Sequence, residues 1–175
     1  MTLDSVPVIS IVGCSNVGKT TLMEKLIREL KRRGLRIATI KHDVHGFEID
    51  RPGKDTWRHA QAGSDVVVIA SPGRVAMIAR TGQELSVDEI VARLPVEVDL
   101  VLTEGYKRGD KPKIEVFRAA CGQELLCRGG EDGLIALATD TPQPGIMVPQ
   151  YELDDAVGLG DLIEERYLGH PSHSH

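Results

Sequence analysis

The sequence of 175 residues is 41% hydrophobic and 27% charged, with a formal net charge of -5. Such a chain has room for one sizeable core but not for two full domains. The negative balance argues against nonspecific binding of nucleic acid, and no apolar run approaches the roughly 18 residues of a membrane span. Three cysteines, Cys14, Cys121 and Cys127, and a start without a charged-then-apolar leader pattern point to a reducing cytoplasm.

Pro7 to Val12 is an apolar run that predicts a buried strand. After a glycine-bounded loop comes "TTLMEKLIRELKRRG", where Leu22, Leu26 and Leu30, with Met23 and Ile27 beside them, make one apolar helix face. Lys31, Arg32 and Arg33 suit the negative end of that helix, and Gly34 stops it. "LRIATIKH" reads as a second strand and "HGFEIDRPGKDT" as a polar loop. A helix over "WRHAQAG" follows, entered through Lys54, Asp55 and Thr56, where Asp55 or Thr56 serves either as its cap or as a ligand. "DVVVIASPG" and "RVAMIAR" form a hairpin around a tight turn. Ser86 followed by Glu89 reads as a capping box opening a short helix to Leu94. "VDLVLTEG", "KIEVFR" and "LIALATD" are further buried strands, and "YELDDAVGLGDLIEERYLG" is a terminal helical region weakened by interior glycines. Apolar strands alternating with helices predict an α/β fold whose mainly parallel sheet is covered on both faces. One domain is expected over residues 1–168, with a flexible His-containing tail over 169–175.

Gly13-Cys14-Ser15-Asn16-Val17-Gly18-Lys19-Thr20 matches G-x-x-x-x-G-K-[ST] without a gap, between a predicted strand and a predicted amphipathic helix. The glycines let the backbone curl so that successive N–H groups face phosphates, while the helix aims its unpaired amides at the same place. Lys19 is expected on the β and γ phosphates and the Thr20 hydroxyl on Mg²⁺. A plain glycine turn with a surface lysine is the blander reading, and the strand and helix on either side disfavour it. The motif specifies phosphate, not the base.

A carboxylate near the magnesium is expected from the end of a neighbouring strand. Asp99 and Glu104 bracket "DLVLTE" and stand roughly 16 Å apart along an extended strand, so they cannot serve one ion together. Ligands gather at the carboxyl ends of parallel strands, which favours Glu104 for a metal or water contact and leaves Asp99 to the strand start. Asp50, in the loop after the second strand, is a second candidate for the metal and for catalysis. Lys41, His42 and His45 share that region, and a phosphate-sensing or partner-contact loop is a better reading of them than structural zinc. Lys107, Arg108, Lys111 and Lys113 after Gly105 read either as a positive surface for a cofactor phosphate or an acidic partner or as a charged solvated loop. Nothing local decides the role of Arg118. Cys121 and Cys127 read as ordinary thiols.

"GCSNVGKTTLMEKLI", "IATIKHDVHGFEIDRPGKDTWRHAQAGS" and "VLTEGYKRGDKPKIEVFR", in this order, resemble the family of molybdopterin-guanine dinucleotide biosynthesis adapter proteins, from about Pro7 to Asp140. The K-H-x-x-H loop, the G-K-D-T helix entry and the E-G-Y-K turn are more specific than the phosphate loop. The resemblance implies a three-layer P-loop NTPase-like fold with a hairpin extension, binding GTP with Mg²⁺ and hydrolysing it weakly. It implies a homodimer built partly through an extended sheet region, acting beside a guanylyltransferase that joins GMP to molybdopterin, with the molybdopterin cofactor itself as a further contact. Carried over by position, Gly13 to Thr20 would hold phosphates and Asp50 and Glu104 the two acidic positions. Thr139 and Asp140 would lie where the base is read, Asp140 accepting from guanine N1 and N2. The N-K-x-D guanine signature is absent, so a strand-ending cap is the other reading of Asp140. His42, His45, Lys107 and Arg108 are the expected partner or cofactor contacts. An autonomous small-molecule kinase or nucleotide hydrolase is the alternative function, and the lack of an arginine-bearing lid weighs against it.

Overall fold

The computed structural model describes residues 6–122, 124–127 and 129–169; residues 170–175 of the expected tail lie outside the described residues. In chain order the elements are β1 (Val8–Val12), α1 (Lys19–Arg32), β2 (Ile37–Lys41), α2 (Asp55–Gln61), β3 (Val66–Ser71), β4 (Arg74–Ala79), α3 (Val87–Val91), β5 (Leu100–Glu104), β6 (Lys113–Phe117), β7 (Leu134–Thr139), β8 (Gln150–Tyr151) and α4 (Ala156–Ile163). The span read as one domain contains two compact units, the second being Asp43–Leu94 and the first the chain on either side of it.

The first unit is a parallel sheet in the order β2-β5-β1-β6-β7-β8. All of β1 is buried, as expected of a strand covered on both faces. On one face α1 buries Leu22, Met23, Leu26 and Leu30 in a core shared with Ile9, Ile11, Ile114 and Leu159 of α4. Toward β6 and β7, Val12, Cys127 and Leu134 make a smaller cluster with Ile146 and Val148. The register pairs Ile11 with Glu104, Val12 with Glu115 and Phe117 with Thr139, so the carboxyl ends of β1, β5, β6 and β7 share one edge.

The glycines that weaken the terminal helix in the sequence have a packing reason. A Cβ on Gly160 would lie 3.0 Å from Arg33 Cζ, and one on Gly158 would lie 2.6 Å from Asp155 Oδ2. Arg33 pairs there with Asp161 and, on its own helix, with Glu29, both at 2.8 Å. Gln150–Tyr151 pairs with β7 as an edge strand before α4 begins, so Tyr151, the first residue of the expected helical region, is strand.

Two charges on β6 point inward. Lys113 is 3% exposed and donates to the carbonyls of Gly109 (2.6 Å), Lys111 (3.3 Å) and Asp132 (2.7 Å), so it does not join the expected positive surface. Strand alternation puts it on the same side as Glu115, whose carboxylate accepts from the amides of Leu126 (2.7 Å) and Cys127 (2.9 Å). Burial raises the Glu115 carboxyl above its ordinary value, and burial together with Glu115 pushes the Cys127 thiol up to about 11. These bonds hold the segment after β6 on the sheet.

In the second unit β3 and β4 pair antiparallel, Val68 opposite Met77. Val67 and Ile78 line an apolar groove with Trp57 of α2, while Val66, Val68, Val75 and Met77 occupy the other, exposed face. The capping box is present: Ser86 Oγ accepts from the Glu89 amide at 3.2 Å and Glu89 Oε2 from the Ser86 amide at 2.8 Å. The N-cap of α2 is Lys54, with no side-chain cap bond, in place of the expected Asp55 or Thr56.

Candidate functional site

The loop between β1 and α1 is built on left-handed backbone: Gly13 has φ 146°, Asn16 63° and Gly18 103°. At Gly13 space is as limiting as conformation, since a Cβ there would stand 2.5 Å from the Val116 carbonyl oxygen of β6. Gly18 caps α1 without a side-chain bond, so the first amides of the helix are left to whatever the loop holds. Lys19 folds back over the loop and donates to the carbonyls of Gly13 (3.2 Å) and Cys14 (2.7 Å). Its amine is held below the ordinary lysine value by burial and then by the nearby Lys107 ammonium, with Lys41 adding to the effect and Glu104 opposing it. Lys107 and Lys41 thus lie close enough to the Lys19 amine to act on it, and the three make a cationic patch.

Thr20 Oγ1 donates to both oxygens of Glu104, at 3.0 and 3.1 Å, across 84 residues of sequence. The parallel register of β5 beside β1 makes that meeting possible. Gly105 (φ 106°) then turns the chain, its amide donating to Ile11 O at 3.1 Å and its missing side chain admitting His42, whose Cβ would be 3.2 Å from a Cβ on the glycine. Tyr106, also left-handed at φ 55°, stacks on His42 with ring centroids 4.5 Å apart. Asp99 sits at the other end of β5, where the Arg36 amide (2.7 Å) and guanidinium (3.0 Å) bind it and hold its carboxyl below the usual range. A hydroxyl and a carboxylate side by side are hard oxygen donors, and they fit Mg²⁺. Among the described residues no three His, Cys, Asp or Glu side chains gather as a metal cage, so a cation here would draw its remaining ligands from phosphate and water.

The other expected residues are distributed as follows. Thr139 Oγ1 donates to Thr141 O (2.8 Å) and accepts from Thr141 N (3.1 Å), closing its own turn. Asp140 Oδ1 accepts from the Ala119 amide at 3.0 Å, which is the work of a cap joining the exits of β6 and β7. Cys14 Sγ lies 3.9 Å from the Glu124 carbonyl, while Ser15, Asn16, Lys107 and Arg108 are exposed and Val17 is buried. Asp50 and His45 belong to the second unit. There Asp50 Oδ1 accepts from the Arg51 amide at 2.8 Å beside the apolar groove, and the His45 amide donates to Asp43 Oδ1 at 2.9 Å. Arg118, whose role the sequence left open, donates from Nε to the Val17 carbonyl at 2.8 Å; only the pairing of β6 with β1 reveals it.

Residues 8–140 match the sequence model of the family described as molybdopterin guanine dinucleotide synthesis protein B. A molybdopterin-guanine dinucleotide biosynthesis adapter protein of Haemophilus influenzae is 38% identical over 140 residues, covering 79% of this chain and 78% of that protein. One of Escherichia coli K12 is 34% identical over 166 residues, covering 91% and 93%. Among solved structures, that of a molybdopterin-guanine biosynthesis protein B superposes with a TM-score of 0.69 at 28% identity, covering 90% of this chain and 98% of the other.

Proposed function

The chain belongs to the molybdopterin guanine dinucleotide synthesis protein B family, accessory proteins of molybdopterin-guanine dinucleotide biosynthesis, and from there we propose that it binds Mg²⁺-GTP and assists a separate guanylyltransferase, hydrolysing GTP only weakly. The observation that carries this reading is the meeting of Thr20 with Glu104 at the mouth of the loop that Lys19 overlies. Thr20 and Glu104 would hold Mg²⁺, which would supply charge neutralisation to the bound phosphates. The loop and α1 amides bind phosphate, Lys19 leaves the Gly13 and Cys14 carbonyls for the terminal phosphates, and Lys107 and Lys41 add positive potential. Thr20 and Glu104 hold the metal side of the ligand. Among the described residues none stands out as a dedicated base for an attacking water, which is the ground for slow turnover.

Asp50 remains our proposal for a second acid, and Asp140 for a guanine contact through the oxygen that does not cap Ala119. We assign the exposed face of Val66, Val68, Val75 and Met77 to a second copy of the chain, since an apolar sheet face of this kind is a contact surface. His42, His45 and Arg108 are proposed contacts for the guanylyltransferase or the molybdopterin. No helix among the described residues is long and apolar enough to cross a membrane, and a cytoplasmic location is part of the proposal.

Calorimetric titration with Mg²⁺-GTP and Mg²⁺-ATP, alone and with the guanylyltransferase present, tests the reading. GTP should bind in preference and more tightly with the partner, and Lys19→Ala should weaken triphosphate binding by about a hundredfold through loss of charge-assisted hydrogen bonds. Equal binding of ATP with no effect of the partner would leave an autonomous nucleotide enzyme as the better account.

A further inference from the structure

The exit of β6 carries a guanidinium that the phosphate chemistry does not use. Because β6 runs parallel beside β1, with Val12 opposite Glu115, the chain leaving β6 passes along the loop that leaves β1. Arg118 comes first on that path. Its Nε–H donates to the Val17 carbonyl at 2.8 Å, joining residues 101 apart in sequence. The same guanidinium lies over the open side of Gly18, where a Cβ would stand 3.5 Å from Nη2 and 3.6 Å from Nε.

The peptide gripped this way lies where the loop is conformationally most demanding. Asn16 and Gly18, on either side of Val17, are both left-handed, and such backbone persists only where its surroundings fix it. The Val17 side chain, 2% exposed, anchors the peptide from inside, while Arg118 anchors its carbonyl. In a planar trans peptide the carbonyl of Val17 and the N–H of Gly18 point in opposite directions, so fixing one fixes the other. Arg118 is itself held, because the amide of the next residue, Ala119, donates to Asp140 Oδ1 at 3.0 Å.

We infer that Arg118 is a positioning residue for phosphate binding: from the end of β6 it fixes the Val17–Gly18 peptide, and Asp140 holds the turn from which it reaches. The inference rests on the phosphate-loop reading above and assigns Arg118 no contact with phosphate or base. Holding a loop in its binding geometry raises affinity by sparing the ligand the cost of ordering it.

The test is calorimetric titration of the full chain with Mg²⁺-GTP and with Mg²⁺-tripolyphosphate, for the wild type, Arg118→Met and Arg118→Lys. Arg118→Met should weaken both ligands in the same ratio, by about tenfold for one lost charge-assisted bond. Arg118→Lys should recover part of the loss, because an ammonium can donate to the same carbonyl. In the methionine variant, hydrogen exchange should speed up at the amide of Leu22, which donates to the Gly18 carbonyl at 3.0 Å, and stay slow in the middle of α1, a local signature that general destabilisation would not give. Unchanged affinity in Arg118→Met overturns the inference, as does a lysine variant no better than the methionine one. A loss confined to GTP also overturns it and puts the guanidinium on the nucleoside instead. A wild-type protein that binds neither ligand overturns the phosphate-loop reading and this inference with it, whereas wild-type binding that Arg118→Met leaves intact overturns this inference alone.

Discussion

β5 and β3 are both short apolar strands, yet Leu100, Val101 and Leu102 of β5 are 0% exposed while Val66 and Val68 of β3 are 48 and 54% exposed. The difference is in their neighbours. β5 lies between β2 and β1 and contacts α1, so strands flank it on both edges and a helix lies against it. Among the described residues β3 pairs with β4 alone and packs on α2 through one face, leaving the other apolar and open. Apolar composition therefore identifies a strand in both places, but the layers around it decide how much the same residue type contributes to stability.

The largest expected contrast comes from one substitution made in both strands. Val101→Ala should destabilise the chain by about 2 kcal/mol, the transfer and cavity cost of a buried valine, whereas Val68→Ala should stay within about 0.5 kcal/mol. Chemical denaturation followed by circular dichroism gives both values, and equal losses would break the contrast. Trp57, the single tryptophan, lies in the second unit, so its fluorescence follows that unit separately. By that signal Ser86→Ala should cost about 1 kcal/mol, because the capping box rather than deep burial starts α3. The smallest effect belongs to the first unit. Hydrogen bonds from Arg32 and Arg33 hold the Glu29 carboxyl at about 2, below its ordinary 4.5. Folding thus favours the ionised form, so its contribution is complete above about 4.5 and lost as pH falls through about 2. An acid titration of unfolding stability should show a flatter limb in that window for Glu29→Gln.

Much of the candidate site was legible from local pattern. The phosphate loop is contiguous, its glycines sit where positive φ is needed, and strand length alone separated Glu104 from Asp99. In the turn after Glu104, His42 fills the space left by the missing side chain of Gly105. Lys113 was misread as surface charge because a lysine's burial depends on acceptors far from it in sequence, here a carbonyl of Asp132 among others. Tyr151 of β8 was taken into a helical reading because two residues of edge strand carry no periodicity.

By itself the sequence determined the strand–loop–helix that carries the G-x-x-x-x-G-K-T motif, the hairpin, the capping box and the family, because each depends on residues close together along the chain or on motifs kept in order. The tertiary structure decided which distant groups meet at the loop: Glu104 on Thr20, Lys107 near Lys19 and Arg118 on Val17. Those meetings follow from the order of parallel strands in the sheet, which brings residues roughly a hundred positions apart to one edge and which no local spacing encodes.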